Sequence, residues 1–293
     1  MQDSLRRNML QWAEDDSLLD ANQVCRRMEV LDRLEAYFPD ADLQAAASEL
    51  NGSDLERLAK AIRARLEAAN TELYQFIQLE IQRGSCPATF LQVLQESSSG
   101  SGPFRPSRGA GYDYLDELIS GVLQLDAPTE EPVHTGPEIV FYQPTPARHI
   151  FALVAAGTIS ESDVLVDLGS GLGHVPLIVS VCMGARCVGI ELEFSYVASA
   201  RRCAQRLNLS RVSFLERDAR EADLSSGTVF YLYTPFTGSI LRAVMNSLKK
   251  QAAVRPIKIC TFGPCTPTVG QEPWLEALMG LETDQIAVFL SRT

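Results

Sequence analysis

Up to about residue 125 the chain repeats apolar positions three and four apart, the spacing of one helix face; beyond residue 160, short apolar runs alternate with helical stretches. Residues 3–19 and 20–38 read as two amphipathic helices. The second carries Val24, Met28, Leu31 and Leu34 on one face, with Asp20 as its cap and Pro39 as its stop. A further helix over about 40–50 breaks at Asn51-Gly52. Ser53 with Glu56 then makes a capping box for a long helix to about Arg83, along which Leu55, Leu58, Ile62, Leu66, Ala69, Leu73 and Phe76 form one stripe. A short helix, Pro87 to Glu96, leads to the Ser/Gly/Pro-rich run 97–111, whose composition is that of a flexible linker. Helical spacing returns over Tyr112 to Leu125. These breaks predict an all-α N-terminal domain at 1–96, a linker at 97–111 and a second domain at 112–293.

In the second domain, after a helix over Ala147 to Ala156, Val164 onward reads as a buried parallel strand that runs into Gly169, Gly171 and Gly173 and then a helix, His174 to Met183. Pro176 falls in that helix's first turn, where a missing N–H is harmless. Strands over Cys187–Glu191, Val212–Leu215, Thr228–Leu232 and Ile257–Phe262 follow, with a helix from Phe194 to Leu207. Pro273 to Met279 reads as a short helix, which leaves Gln285 to Leu290 as a lone closing strand. Alternation of this kind predicts an α/β domain with a doubly wound, mostly parallel, Rossmann-like sheet.

Composition narrows the functional classes. The net charge is −11, and basic against acidic residues count 10 to 17 in residues 1–96 and 16 to 20 in the remainder, so neither part offers a general nucleic-acid surface. No apolar run reaches the ~18 residues of a membrane span and no signal segment is present, which predicts a cytoplasmic protein with no membrane partner. Seven cysteines, an odd number, suit reduced core thiols; the five-residue separations of Cys182/Cys187 and Cys260/Cys265 do not match a zinc knuckle, and no metal is expected. The paired arginines Arg6-Arg7, Arg26-Arg27 and Arg63/Arg65 are interleaved with acids and read as solvated faces. The N-terminal helices would cover their own core or dock on the following domain, or else grip a substrate or make a homodimer.

The glycine turn admits several chemistries. Glycines are needed where a ligand lies against bare main chain, and phosphate loops, dinucleotide sites and methyl-donor sites all use them. A dinucleotide fingerprint would place its third glycine where His174 stands, and no lysine follows the loop as nucleotide triphosphatases require. A purely structural turn would leave two later carboxylates unexplained: Glu191 at the end of the second strand, placed for two ribose hydroxyls, and Asp218 after the third.

With these residues in order, the chain from about 135 to 293 resembles the class I S-adenosylmethionine-dependent methyltransferases. Asp167-Leu168-Gly169-Ser170-Gly171-Leu172-Gly173 matches the first motif, Glu191 the ribose-binding acid and Asp218 the residue that meets adenine. The resemblance implies S-adenosyl-L-methionine as cofactor and methyl transfer as the reaction. Tyr142 and Thr145, in Phe141-Tyr142-Gln143-Pro144-Thr145-Pro146, match the segment that closes over the donor in the disruptor-of-telomeric-silencing lysine methyltransferases, although the chain has no basic tail to grip nucleosomal DNA; Thr145 as a simple helix cap is the alternative. Tyr233-Thr234-Pro235-Phe236 stands where many amine methyltransferases carry Asn/Asp-Pro-Pro-aromatic. Only Pro235 and Phe236 match. The implied acceptor is an amine nitrogen of a protein or small molecule, lined by Tyr233 to Phe236 with Tyr142, and His174 is a candidate base. The competing class is a non-catalytic methyltransferase-fold module that serves assembly through the N-terminal helices.

Overall fold

The computed structural model describes residues 2–39, 54–99, 111–126 and 133–292. The expected helix over 40–50, the Asn51-Gly52 break and the Ser53 cap lie outside the described residues. So does most of the expected linker; its first residues, 97–99, instead extend a helix. Contacts divide the chain into two compact units, residues 1–78 with 117–122, and residues 79–116 with 123–293.

In the first unit, α1 (Gln2–Glu14), α2 (Val24–Tyr37) and the start of α3 (Asp54–Gln82) bury Met9, Trp12, Leu18, Leu34, Ile62 and Leu66 against one another. The first expected helix stops short because Asp15 accepts the Ser17 N–H and nucleates a 3-10 turn over Asp16–Leu19; a second such turn, Ala21–Gln23, delays α2, and Asp20 makes no side-chain cap bond. Gln78 donates to the Val122 carbonyl at 2.8 Å, and a Cβ on Gly121 would lie 2.1 Å from the Tyr74 ring, so 117–122 fits only because residue 121 has no side chain.

Arg27 corrects the expectation of a solvated face. It is fully buried, donating to the Leu18 carbonyl at 2.7 Å, to the Asp20 carbonyl at 3.2 Å and to Asn70, with no hydrogen-bond partner at Nη2. The guanidinium meets the Leu18 carbonyl from inside and shares the Asp20 carbonyl with the Gln23 amide. Its neighbour Arg26 does reach the surface, paired with Asp15.

The second unit contains α4 (Ala88–Ser99), α6 (Ala147–Ala155) and a seven-stranded doubly wound sheet; α5 (Tyr114–Leu123) runs across the division. Strands β1 (Val164–Leu168), β2 (Arg186–Glu191), β3 (Val212–Glu216), β4 (Val229–Tyr233) and β5 (Lys258–Phe262) are parallel; β7 (Ala287–Ser291) is antiparallel to β5 and to β6 (Leu275–Met279), giving the order β3-β2-β1-β4-β5-β7-β6. The chain leaves β1 in one direction as far as β3 and then crosses to β4. That reversal opens a crevice at the carboxyl ends of β1 and β4, where open α/β sheets take ligands. Register aligns those ends: Leu168 pairs with Ile190, Glu191 with Glu216 and Tyr233 with Phe262.

The expected helix at Pro273–Met279 is instead β6, so the terminal antiparallel pair is complete. Five apolar-rich residues fit either structure locally, and pairing with β7 decides for strand. No element was expected between Phe236 and Ile257 on sequence grounds, yet α9 (Gly238–Ala252) lies there and buries Leu241, Val244, Met245 and Leu248, a legible helical spacing. The short α10 (Thr266–Gly270) is likewise additional. α7 (His174–Met183) and α8 (Phe194–Arg206) follow their strands as expected.

Replacing Arg27 by Ala leaves the buried Leu18 carbonyl and the Asn70 side-chain oxygen without the guanidinium donor, each an unsatisfied group costing about 1–3 kcal/mol, partly offset by removal of a buried charge. Urea unfolding should show the first unit destabilised by roughly 2–4 kcal/mol. A loss below about 0.5 kcal/mol, the range of ordinary surface substitutions, would mean that Arg27 holds nothing together.

Candidate functional site

The apolar run of β1 ends at Asp167-Leu168, and the chain must then turn sharply to enter α7. Gly169, Gly171 and Gly173 all take positive φ, 81°, 51° and 84°, in a region that L side chains seldom adopt. Space is as strict as conformation. A Cβ on Gly169 would lie 2.2 Å from Pro235, on Gly171 2.0 Å from the Tyr142 ring, and on Gly173 2.4 Å from Phe214.

Four of the loop's amides are engaged within the protein. Those of Gly169 and Ser170 donate to the Ile190 carbonyl at 2.8 and 3.0 Å, Gly171 to Glu191 Oε2 at 2.8 Å, and Gly173 to the Ser170 carbonyl at 2.8 Å. Glu191 Oε1 also accepts the amides of Leu192 at 2.6 Å and Glu193 at 3.0 Å. A phosphate loop needs these N–H groups pointing outward. Here they are turned in.

Asp167 stands beneath the loop, 3% exposed, and lines the cleft. Burial first, and the Glu191 carboxylate second, push its pKa well above the usual carboxylate range. Among the described residues no cation answers it. The cleft floor is therefore an acidic site that favours a positively charged group.

Tyr142 lies over Gly171, 5.0 Å from the Tyr196 ring centroid, with its hydroxyl 3.3 Å from His174 Nδ1. Burial lowers the His174 pKa to about 4, so the ring is neutral at physiological pH. Thr145 is no helix cap: its hydroxyl is 3.0 Å from that of the buried Tyr231, while Asp116 accepts the first helical amide of α6, from Ala147, at 2.7 Å. Asp218 reaches the cleft already paired with Arg220, whose Nη2 lies 2.6 Å from Oδ2 and Nε 3.0 Å from Oδ1. The Arg220 guanidinium holds the Asp218 pKa below its ordinary value.

The loop after β4 is strained. Thr234 has φ +39°, a genuine departure for a β-branched residue, and its hydroxyl is committed inward, donating to the Phe262 carbonyl at 3.2 Å and accepting the Cys265 amide at 2.9 Å. Tyr233 packs on Phe262 at 4.7 Å between centroids and faces the cleft; Pro235 sits on Gly169. Phe236 touches the cleft but is mostly core, packed with Leu241 and Val244.

Two carboxylates unmarked in the sequence fasten the segment Val133 to Pro146 over these strand ends. Glu193, buried at the start of α8, accepts the amides of Val133 at 3.2 Å and His134 at 2.5 Å, with His134 Nδ1 3.1 Å away. Glu138 accepts the Ser239 amide at 2.8 Å and hydroxyl at 2.6 Å at the N-terminus of α9, a favourable end for an anion. Val140 donates to the Pro235 carbonyl at 3.1 Å, and Ile139 bridges Phe236. No local motif announces Glu138 or Glu193, because their partners are about 100 and 60 residues away.

No family model and no curated protein matches the chain. Solved structures do. It is similar to an RNA methyltransferase from Salinibacter ruber in complex with S-adenosyl-L-homocysteine (27% identity, 51% of this chain and 92% of that one, TM-score 0.41). It is also similar to a precorrin-6y C5,15-methyltransferase from Geobacter metallireducens (14%, 55% and 93%, 0.39) and to an rRNA methylase from Streptococcus thermophilus (11%, 52% and 98%, 0.35). Every score is below 0.5, and the reading of the cleft rests on its own geometry.

A buried Asp167 with a raised native pKa binds a proton that the unfolded chain, at its ordinary 3.8, has released. The native state then holds more protons, so the contribution is fully present below the unfolded pKa and is lost as pH rises through the native one. Asp167→Asn should therefore melt higher than the wild type at pH 8, with the gap closing towards pH 4. Melting curves with a gap independent of pH would remove the buried carboxyl as its cause.

Proposed function

We propose that the chain is an S-adenosyl-L-methionine-dependent methyltransferase acting on an amine nitrogen of a protein or small molecule. The observation that carries this reading is the charge logic of the cleft. A loop whose amides are spent internally, above a buried and uncompensated Asp167, disfavours phosphate-bearing nucleotides and favours a ligand whose reactive end is cationic. The methyl donor carries both an ammonium and a sulfonium.

Asp167 would hold the donor's ammonium, which would draw the carboxyl back to its ionised form. Glu191 would keep one oxygen on the loop and offer its remaining acceptor capacity to the ribose hydroxyls. The Ala219 region after β3, with Asp218, would receive adenine. The bound donor supplies an activated methyl group with a neutral leaving group, so the protein's task is proximity, alignment and exclusion of water. Tyr142, held by His174, covers the loop, while Tyr233 to Phe236 shape the approach of the acceptor. His174, neutral and engaged with a phenol, acts as an orienting group rather than a base.

Calorimetry should show binding of S-adenosylmethionine or S-adenosylhomocysteine with a raised melting temperature, and no heat with NAD or ATP. Glu191→Ala removes charge-assisted hydrogen bonds of about 1.5–3 kcal/mol each and should weaken donor binding by at least about a hundredfold. Absence of heat and of thermal shift at millimolar donor would sink the reading. Donor binding without turnover on any amine would leave the non-catalytic module in its place.

A further inference from the structure

The side chains that line the cleft sort by charge. Those from the ends of β1, β2 and β3 include Asp167, Glu191, Glu193, Arg217, Asp218 and Arg220, joined by His134. Those from the end of β4 and from the segment above it include Phe141, Tyr142, Tyr233, Thr234, Pro235 and Phe236, none of them charged at neutral pH. His174, beside Tyr142, is held neutral by burial. One half of the cleft is ionic and the other is aromatic and neutral.

We propose, building on the methyl-transfer reading, that the acceptor is an uncharged planar heteroaromatic amine, a small molecule of nucleobase-like chemistry. An alkylamine such as a lysine side chain, with an ordinary pKa near about 10.4, arrives protonated and unreactive. The neutral half holds no carboxylate to receive it and no base free to take its proton, since the Thr234 hydroxyl is committed to Phe262 and Cys265. Aromatic faces would attract the ammonium, but in its unreactive form. A heteroaromatic amine is already neutral. Its nitrogen lone pair forms the N–C bond as the C–S bond breaks, the electron pair leaves on sulfur, and the acidic N–H of the methylated product passes to water without a protein base.

Shape agrees with charge. The Tyr233 ring, backed by Phe262, and Phe141, 82% exposed at the mouth, offer flat apolar faces of the kind on which planar bases stack. Gln143, exposed beside them, supplies one acceptor and two donors to the edge of a ring. A nucleic-acid strand is disfavoured by the net charge of −11 and by the pairing of Arg220 with Asp218.

The test uses the full chain saturated with S-adenosylhomocysteine, so that no probe enters the donor half. Adenine, cytosine and 6-aminoquinoline are compared with n-butylamine and Nα-acetyl-lysine methylamide by saturation-transfer NMR titration. The expected result is saturable binding of at least one heteroaromatic amine at least tenfold tighter than either alkylamine. Tyr233→Ala, and separately the exposed Phe141→Ala, should weaken it severalfold while S-adenosylhomocysteine affinity is unchanged. An alkylamine that binds as tightly, or failure of all three heteroaromatic probes with S-adenosylhomocysteine bound, overturns the proposal alone. Failure of S-adenosylhomocysteine to bind overturns the donor reading with it.

Discussion

The turn between β1 and α7 closes on itself, and the cleft depends on that closure. Two of its amides share the Ile190 carbonyl and a third is held by Glu191, so the end of β2 is stitched to the end of β1 by the loop that would carry the ligand. The stitching is possible only with glycine at 169, 171 and 173, where φ is positive and neighbouring side chains fill the space a Cβ would need. It also sets the electrostatics. Beneath it, burial and the Glu191 carboxylate raise the pKa of Asp167 at the floor of the cleft.

Around this fixed floor, carboxylates act as fasteners. Glu193 and Glu138 hold the segment Val133 to Pro146 by its amides and by the N-terminus of α9, and Asp116 does the same for the first turn of α6. Backbone groups left over at helix ends and in irregular segments need partners, and a carboxylate can take several at once. That helps to account for an acidic chain whose cleft is not simply repulsive: among the acids lining it, Glu191, Glu193 and Asp218 are engaged structurally, and Asp167 is buried beneath the loop.

Strain is concentrated opposite the glycine loop. Thr234 is held in the left-handed region by its hydroxyl, which donates to the Phe262 carbonyl and accepts the Cys265 amide, and Gly263 makes room for it, since a Cβ there would lie 2.9 Å from the Thr234 hydroxyl oxygen. Conformations of this kind persist only where surrounding contacts over-determine them. The result is a β4 terminus that turns Tyr233 towards the cleft while Phe236 anchors the loop in the core.

The chain's pattern by itself determined the alternation of strand and helix from Val164 onward, the glycine turn, and the placing of Glu191, Asp218 and Tyr233 to Phe236 at strand ends, because each follows from spacing over a few residues. It was misleading where local pattern is ambiguous: Leu275 to Met279 suits helix or strand, and only pairing with β7 chose. Arg27 read as surface because sequence shows its acidic neighbours and not the carbonyls of two 3-10 turns that fold over it. What the tertiary structure alone decided was the state of each group: which amides are spent, that Asp167 is uncompensated, that Thr234 faces inward, and that Glu138 and Glu193 bind main chain. Those are matters of distance between residues far apart in the chain, and burial, which sets their energies, has no signature in spacing.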